Sequence, residues 1–177
     1  TLLREGGKAA AGTHGVEDLV SVKLWRNPCW LSFRFNFLAL QFNEPIYRLI
    51  EKEHGLARPE FVVIYSLGLS DGLTASAICN SSGFPKNTIS RAIQKLIDKN
   101  IVRREIDQAD LRSFVLYITE DGRRIVDQAM QPMVERERAM ISSLTPAEQL
   151  MLSELLAKVV VDSPNWPPMT TIEENEE

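Results

Sequence analysis

Between residues 85 and 99, polar and apolar side chains are sorted onto two faces. Ile89, Ala92, Ile93, Leu96 and Ile97 recur at spacings of three and four, while Lys86, Asn87, Ser90, Arg91, Gln94 and Lys95 fill the positions between them. That pattern predicts an amphipathic helix opened by Pro85 and running to about Lys99. The chemistry open to its polar face is hydrogen bonding and charge. An arginine such as Arg91 can bond a guanine through O6 and N7, and Asn87 or Gln94 can bond an adenine. Lys86, near the helix start, can neutralise a phosphate, and so can the first-turn amides behind Pro85. Taken alone, the pattern also fits a solvated face with no partner.

Charge distribution favours the first reading. The chain has 177 residues, with 20 basic and 24 acidic side chains and a net charge of −4. An acidic average argues against a nucleic-acid partner. Between residues 86 and 104, however, six basic residues (Lys86, Arg91, Lys95, Lys99, Arg103 and Arg104) face one acidic residue, Asp98, so this window carries +5 and the remainder −9. Affinity for phosphate follows the local patch rather than the average.

Other chemistries lack their residues. Two cysteines fifty positions apart, Cys29 and Cys79, and two histidines, His14 and His54, make neither a disulfide framework nor a zinc site. His14 falls in a glycine-containing arm and His54 at a helix end. With no glycine-rich phosphate loop, nucleophile elbow or paired-carboxylate motif, neither enzymatic activity nor a cofactor or metal is expected. No charge-free apolar run approaches the length of a membrane span, and the first residues lack the apolar core of a signal peptide. A reducing cytoplasm is the expected compartment.

The elements that would position the polar face follow from local signals. Residues 1–26 read as a loosely ordered arm with a short helix over 16–25. Residues 29–54 carry two apolar stripes, one through Trp30, Phe33, Phe37 and Leu40 and one through Leu31, Phe35, Leu38 and Phe42. These predict a helix buried on more than one side, kinked or interrupted at Pro45. Gly55 ends it and Pro59 sits near the start of the next. Thr74 is placed to cap a short helix over 75–81, Gly83 turns the chain, and the amphipathic helix follows. Residues 101–106 and 113–118 read as strands of a hairpin. Thr119 caps a helix to about Ser143, bent at Pro132. Thr145-Pro146-Ala147-Glu148 has the spacing of a capping box before the apolar stripe Met151, Leu152, Leu155, Leu156, Val159 and Val160. The acidic tail from Ser163 is expected to be disordered or draped on the surface.

A short helix, a glycine turn, an amphipathic helix and a hairpin form a helix-turn-helix with a wing. The expected fold is mainly α, with a small two- or three-stranded β wing and a helical dimerisation region. Residues 83–91 (Gly-Phe-Pro-Lys-Asn-Thr-Ile-Ser-Arg), 96–104 (Leu-Ile-Asp-Lys-Asn-Ile-Val-Arg-Arg), the polar loop 107–112 and residues 115–122 (Val-Leu-Tyr-Ile-Thr-Glu-Asp-Gly) resemble the core of the MarR family of bacterial transcriptional regulators. The resemblance spans about residues 30–161.

It implies a homodimer binding double-stranded DNA at a pseudo-palindromic site, released by a small aromatic or phenolic effector and acting as a repressor. DNA contacts would fall on Lys86, Asn87, Thr88, Ser90, Arg91, Gln94 and Lys95. Arg112 would be the wing arginine of the minor groove, supported by Asp110. An effector cleft would be lined by Trp30, Phe33, Phe37 and Tyr65, with Arg34 or Arg58 as counter-charge. It further implies an N-terminal arm (1–26), a helical dimerisation region (27–55 and 125–162), a winged DNA-binding domain (56–124) and an acidic tail (163–177). Three positions depart from the family pattern: Ala109 stands where a second wing arginine is usual, Pro85 replaces a polar cap, and Pro45 is unusual within the first helix, where a bend in the interface is expected. Cys29 lies near a helix start, where some relatives sense peroxides, which makes a redox-sensing regulator an alternative. A winged-helix protein-interaction module is another. Cys79 reads as a structural residue.

Overall fold

The computed structural model describes residues 16–108 and 113–168. Asp110, Arg112 and Ala109 of the wing tip lie outside the described residues, as does His14. The chain divides into two units, residues 1–134 and 135–177, with one long helix running across the division.

The first unit begins with α1 (Val16–Trp25) and α2 (Trp30–His54), followed by α3 (Arg58–Leu69), β1 (Leu73–Thr74), α4 (Ala75–Ser82), α5 (Lys86–Asp98), β2 (Val102–Ile106), β3 (Phe114–Ile118) and the start of α6 (Glu120–Met140). The strands form one antiparallel sheet in the order β1-β3-β2, with Arg104 opposite Leu116 and Leu73 opposite Leu116 on the other side. The wing is therefore three-stranded. The two-residue β1 is too short to leave an alternation in the sequence.

Local chemistry sets most of the boundaries. Gly55 takes the left-handed conformation (φ 62°) and closes α2 through its N–H to the Glu51 carbonyl. The Thr74 hydroxyl accepts the Ala77 N–H (3.2 Å) at the start of α4, and Gly83 ends that helix at φ 70°. Asn100, at φ 56°, lets the chain leave α5: the Ile101 N–H reaches back to the Leu96 carbonyl (2.8 Å).

α2 passes through Pro45 without interruption, so of the kink or interruption expected there, the interruption does not occur. A proline removes one backbone hydrogen bond, but Ile46 and Ile50, in the turns just after it, are buried and hold the helix in place. The expected burial on more than one side is also not found within one chain. Trp30, Leu31, Phe35, Phe37, Leu38 and Leu40 are all exposed.

The core is built on α3, whose Phe61, Val63, Ile64 and Leu67 are almost wholly buried together with Leu56, Ile78, Ile89, Leu96 and Val102. Ile89, Ala92, Ile93 and Leu96 are the apolar face read from the sequence, and they turn α5 so that its polar face meets solvent. Such burial contributes roughly 1.5–3 kcal/mol per large aliphatic side chain.

The second unit holds the end of α6, α7 (Pro146–Asp162) and a short 3₁₀ turn (Ser163–Asn165). The capping box forms as expected: the Glu148 carboxylate accepts the Thr145 N–H (2.7 Å), and the Thr145 hydroxyl accepts the Glu148 N–H (3.4 Å). None of α7 is buried. The last part of the acidic tail, residues 169–177, lies outside the described residues.

Candidate nucleic-acid interface

The site is the solvent face of α5 and the hairpin beside it. Lys86, Asn87, Ser90, Arg91, Gln94 and Lys95 are exposed and Thr88 is half-buried. Asn87, Ser90 or Arg91, and Gln94 succeed one another at helical spacing, so they share one face. No side chain caps the start of α5 at Pro85; the Thr88 N–H donates to the Pro85 carbonyl (2.9 Å), and the Lys86 and Asn87 N–H groups stand at the positive end of the helix dipole. Gly83 supplies the turn before it. A β-carbon there would meet nothing within 4 Å, so the glycine is required for its conformation rather than for space.

The candidate contacts differ in what already holds them. Among the described residues, no hydrogen bond or ion pair engages the side chains of Lys86, Asn87, Ser90 or Arg91 within the chain. Gln94 donates to the Asp98 carboxylate one turn later (2.7 Å). Lys95, one turn after Arg91, is drawn toward α3, where its Nζ lies 3.1 Å from Glu60 Oε1. Sequence spacing alone could not separate Lys95 from the others, because Glu60 is 35 positions away in the chain.

The wing adds residues that the sequence reading counted only as charge. Arg104 lies over the Phe114 ring at 5.0 Å, and Arg103 over Tyr117 at 4.5 Å while paired to Glu105. Arg104, Phe114 and Leu116 line a groove with Ser90, Ile93, Gln94 and Ile97 of α5. The groove's mouth thus carries a guanidinium beside the polar row of α5. At the base of the wing tip, the Asp107 N–H donates to the Ser113 carbonyl (3.0 Å) and the Ser113 hydroxyl to Asp107 Oδ2 (3.2 Å).

The hairpin is aligned from both ends. Asp71 Oδ1 accepts the Ile118 N–H (2.9 Å), and the Gly72 N–H donates to the Leu116 carbonyl (3.0 Å). At the exit, the Thr119 N–H donates to the Ile101 carbonyl (3.0 Å), and its hydroxyl accepts the Gly122 N–H (3.2 Å) at the start of α6.

The residues proposed for an effector cleft are distributed among separate contacts. Phe33 and Phe37 pack on each other at 5.8 Å along α2, whereas Tyr65 packs on Phe61 of α3 at 6.0 Å. Arg34 is enclosed by Trp25 and Trp30 and donates to the Leu24 carbonyl (2.6 Å), joining α1 to α2. Arg58 lies over Tyr47 at 4.9 Å and over Phe84, the residue before Pro85, at 5.5 Å. It therefore links α2 to the approach to α5. Cys29 is exposed at the N-cap of α2, and Cys79 is partly buried against the core.

Among the described residues, no three or more His, Cys, Asp or Glu side chains group as a metal site, and no helix is long and apolar enough to cross a membrane. A short helix and an amphipathic helix packed at a turn, with a three-stranded wing, define a winged helix-turn-helix protein. The model of the SarA/Rot transcriptional regulators matches residues 45–129. A crystal structure of a MarR-family transcriptional regulator from Silicibacter pomeroyi has the same fold, with a TM-score of 0.62 and 25% identity, covering 72% of this chain and 88% of that one. The structure of the Staphylococcus aureus MepR–DNA complex matches at a TM-score of 0.63 and 19% identity, over 75% of this chain and 97% of MepR. The HTH-type transcriptional regulator YwaE of Bacillus subtilis, described as uncharacterised, is 29% identical over 106 residues, 60% of this chain and 62% of YwaE. The chain has the winged helix-turn-helix fold and is similar to transcriptional regulators of the MarR and SarA/Rot kinds, and these relatives are regulators rather than enzymes.

Proposed function

We propose that two copies of this chain bind a pseudo-palindromic site on double-stranded DNA, each laying α5 in a major groove, and that occupancy represses transcription until a small aromatic or phenolic effector releases the protein. The observation that carries the reading is the exposed row Lys86, Asn87, Ser90 and Arg91 on a helix whose underside is fixed in the core. In this reading Arg91 and Asn87 read base edges, and Lys86 and the first-turn amides hold phosphates. Thr88, Ser90 and Gln94 complete the contact face. Arg112, supported by Asp110, enters the minor groove from the wing tip. Likeness of fold to MepR, a protein solved with DNA, supports the partner class.

The dimer is supported by apolar surface left uncovered in one chain. Met151, Leu155, Val160 and Val161 on α7 are each more than half exposed, as are Trp30 and Leu40 on α2. Exposed apolar surface on each of these helices is what a second copy could cover. Residues 27–55 and 125–162 would form it, and residues 56–124 would carry DNA binding. Trp30, Phe33, Phe37 and Tyr65 are the effector candidates, aromatic side chains of α2 and α3.

The test is a titration of a labelled duplex at several salt concentrations, beside light scattering of the free protein. The reading expects a mass of two 20.0 kDa chains and an affinity that falls steeply with salt. A monomer, or no salt-dependent affinity for any duplex, would replace it with a winged-helix protein-interaction module. Redox sensing through exposed Cys29 predicts DNA release on peroxide treatment that is lost in Cys29→Ser.

A further inference from the structure

We propose that Glu60 sharpens the sequence discrimination of α5 by holding Lys95 and Lys99 away from the DNA backbone. The inference rests on the DNA-binding reading above. Glu60 is the one buried charged residue among those described, 5% exposed, on the first turn of α3. Its Oε1 lies 3.1 Å from Lys95 Nζ, and its Oε2 lies 3.8 Å from Lys99 Nζ while accepting the Ala57 N–H at 3.2 Å. Lys99 also donates to the Gly55 carbonyl (3.3 Å). One carboxylate thus caps its own helix and anchors two lysines from the end of the recognition helix.

The two lysines remain partly in water, with side chains 64% and 45% exposed, and Lys95 has the reach to swing to a phosphate. Arg91, Thr88 and Lys95 border the same shallow depression above Glu60. Lysine contacts to phosphate raise affinity for every sequence alike. A carboxylate that competes with phosphate for them lowers binding to random DNA, and so leaves more of the total binding to groups that read bases. A buried carboxylate left without a cationic partner is costly, which favours retention of the lysines by Glu60.

The test is Glu60→Gln. Glutamine keeps the shape and the cap to the Ala57 N–H, but it has no charge to hold the lysines. The expected result is tighter binding to a random-sequence duplex and a salt dependence steeper by about 0.9 for each lysine released. For one lysine, the loss of affinity between 50 and 200 mM salt then grows by about three- to fourfold. Selectivity for a preferred duplex over a random one should fall. Lys95→Gln supplies the second arm, on an exposed side chain that the fold does not need. It should leave the salt slope nearly unchanged in the wild-type background and flatten it by about 0.9 in the Glu60→Gln background. An unchanged slope in Glu60→Gln, or a full unit lost on Lys95→Gln in the wild type, would overturn the inference while leaving DNA binding intact. A wild-type protein with no salt-dependent affinity for duplex DNA would overturn both.

Discussion

A β-carbon on Gly122 would lie 2.6 Å from the carbonyl oxygen of Ile101. The same oxygen accepts the N–H of Thr119 at 3.0 Å, and the Thr119 hydroxyl lies 2.9 Å from it. The start of α6 is therefore pressed against the entry to β2, and only glycine permits the approach. The obstacle is backbone, which cannot rotate aside. We expect Gly122→Ala to cost about 1–3 kcal/mol, the range for forcing extra volume into a packed site, and to loosen the wing. Chemical denaturation measures the loss. Stability within a few tenths of wild type would show that α6 shifts freely at this point.

Arg91 is exposed on α5 and, among the described residues, engaged by no other side chain. Arg91→Ala should cost about 1–3 kcal/mol of binding to a preferred site and relax the base preference at one position of each half-site. The fold should not change, because the side chain packs on nothing in the core. Gel-shift titration against preferred and random duplexes separates the two effects. Unchanged affinity for the preferred site would remove Arg91 from the base-reading set.

The Glu148 carboxylate accepts the Thr145 N–H at 2.7 Å and the Thr145 hydroxyl at 2.8 Å. The backbone hydrogen bond first, and the hydroxyl second, hold its carboxyl below the ordinary carboxylate range. A carboxylate whose folded pKa is depressed contributes stability above its unfolded pKa and loses that contribution as pH falls through the folded one. The start of α7 should therefore be intact at neutral pH and fray under acid conditions, below the usual glutamate titration. Thr145→Ala removes the smaller cause and keeps the larger, so it should raise the Glu148 pKa only part of the way to its ordinary value. Carboxyl NMR titration of both proteins checks this. A full return to the ordinary value in Thr145→Ala would reverse the order of the two causes.

Leu155 is 51% exposed in the middle of an uncovered helix. If α7 packs against a second copy, Leu155→Glu places a charge in an apolar interface and should shift the protein from dimer to monomer in light scattering at micromolar concentration. Since Leu155 is not part of the single-chain core, the helical content measured by circular dichroism should fall only modestly. A dimer that survives this substitution would place the interface elsewhere.

Much of this architecture can be read locally. Gly55, Thr74, Gly83, Thr119 and the Thr145–Glu148 box each mark a boundary through chemistry within four residues. The apolar period of α5 also identifies its buried side. What depends on distant residues is not legible in this way. Lys95 and Lys86 look alike in the sequence, yet one is tied to Glu60 and the other is not. The link from Arg58 to Phe84 crosses 26 positions, and no pattern announces it. Pro45 carries the usual signal for a break, but the burial of Ile46 and Ile50 outweighs it. The aromatic stripe of α2 predicts burial, and a single chain does not supply the surface that would bury it.

Selection of bound fragments from a random pool of duplex DNA by the purified full chain tests the central claim most directly. The account predicts an enriched pair of inverted half-sites whose centres lie about one helical turn apart, roughly 34 Å. It also predicts that the pair is lost when the same selection is run with Arg91→Ala. A pool that shows no enrichment, or a single unrepeated motif indifferent to Arg91, would contradict it.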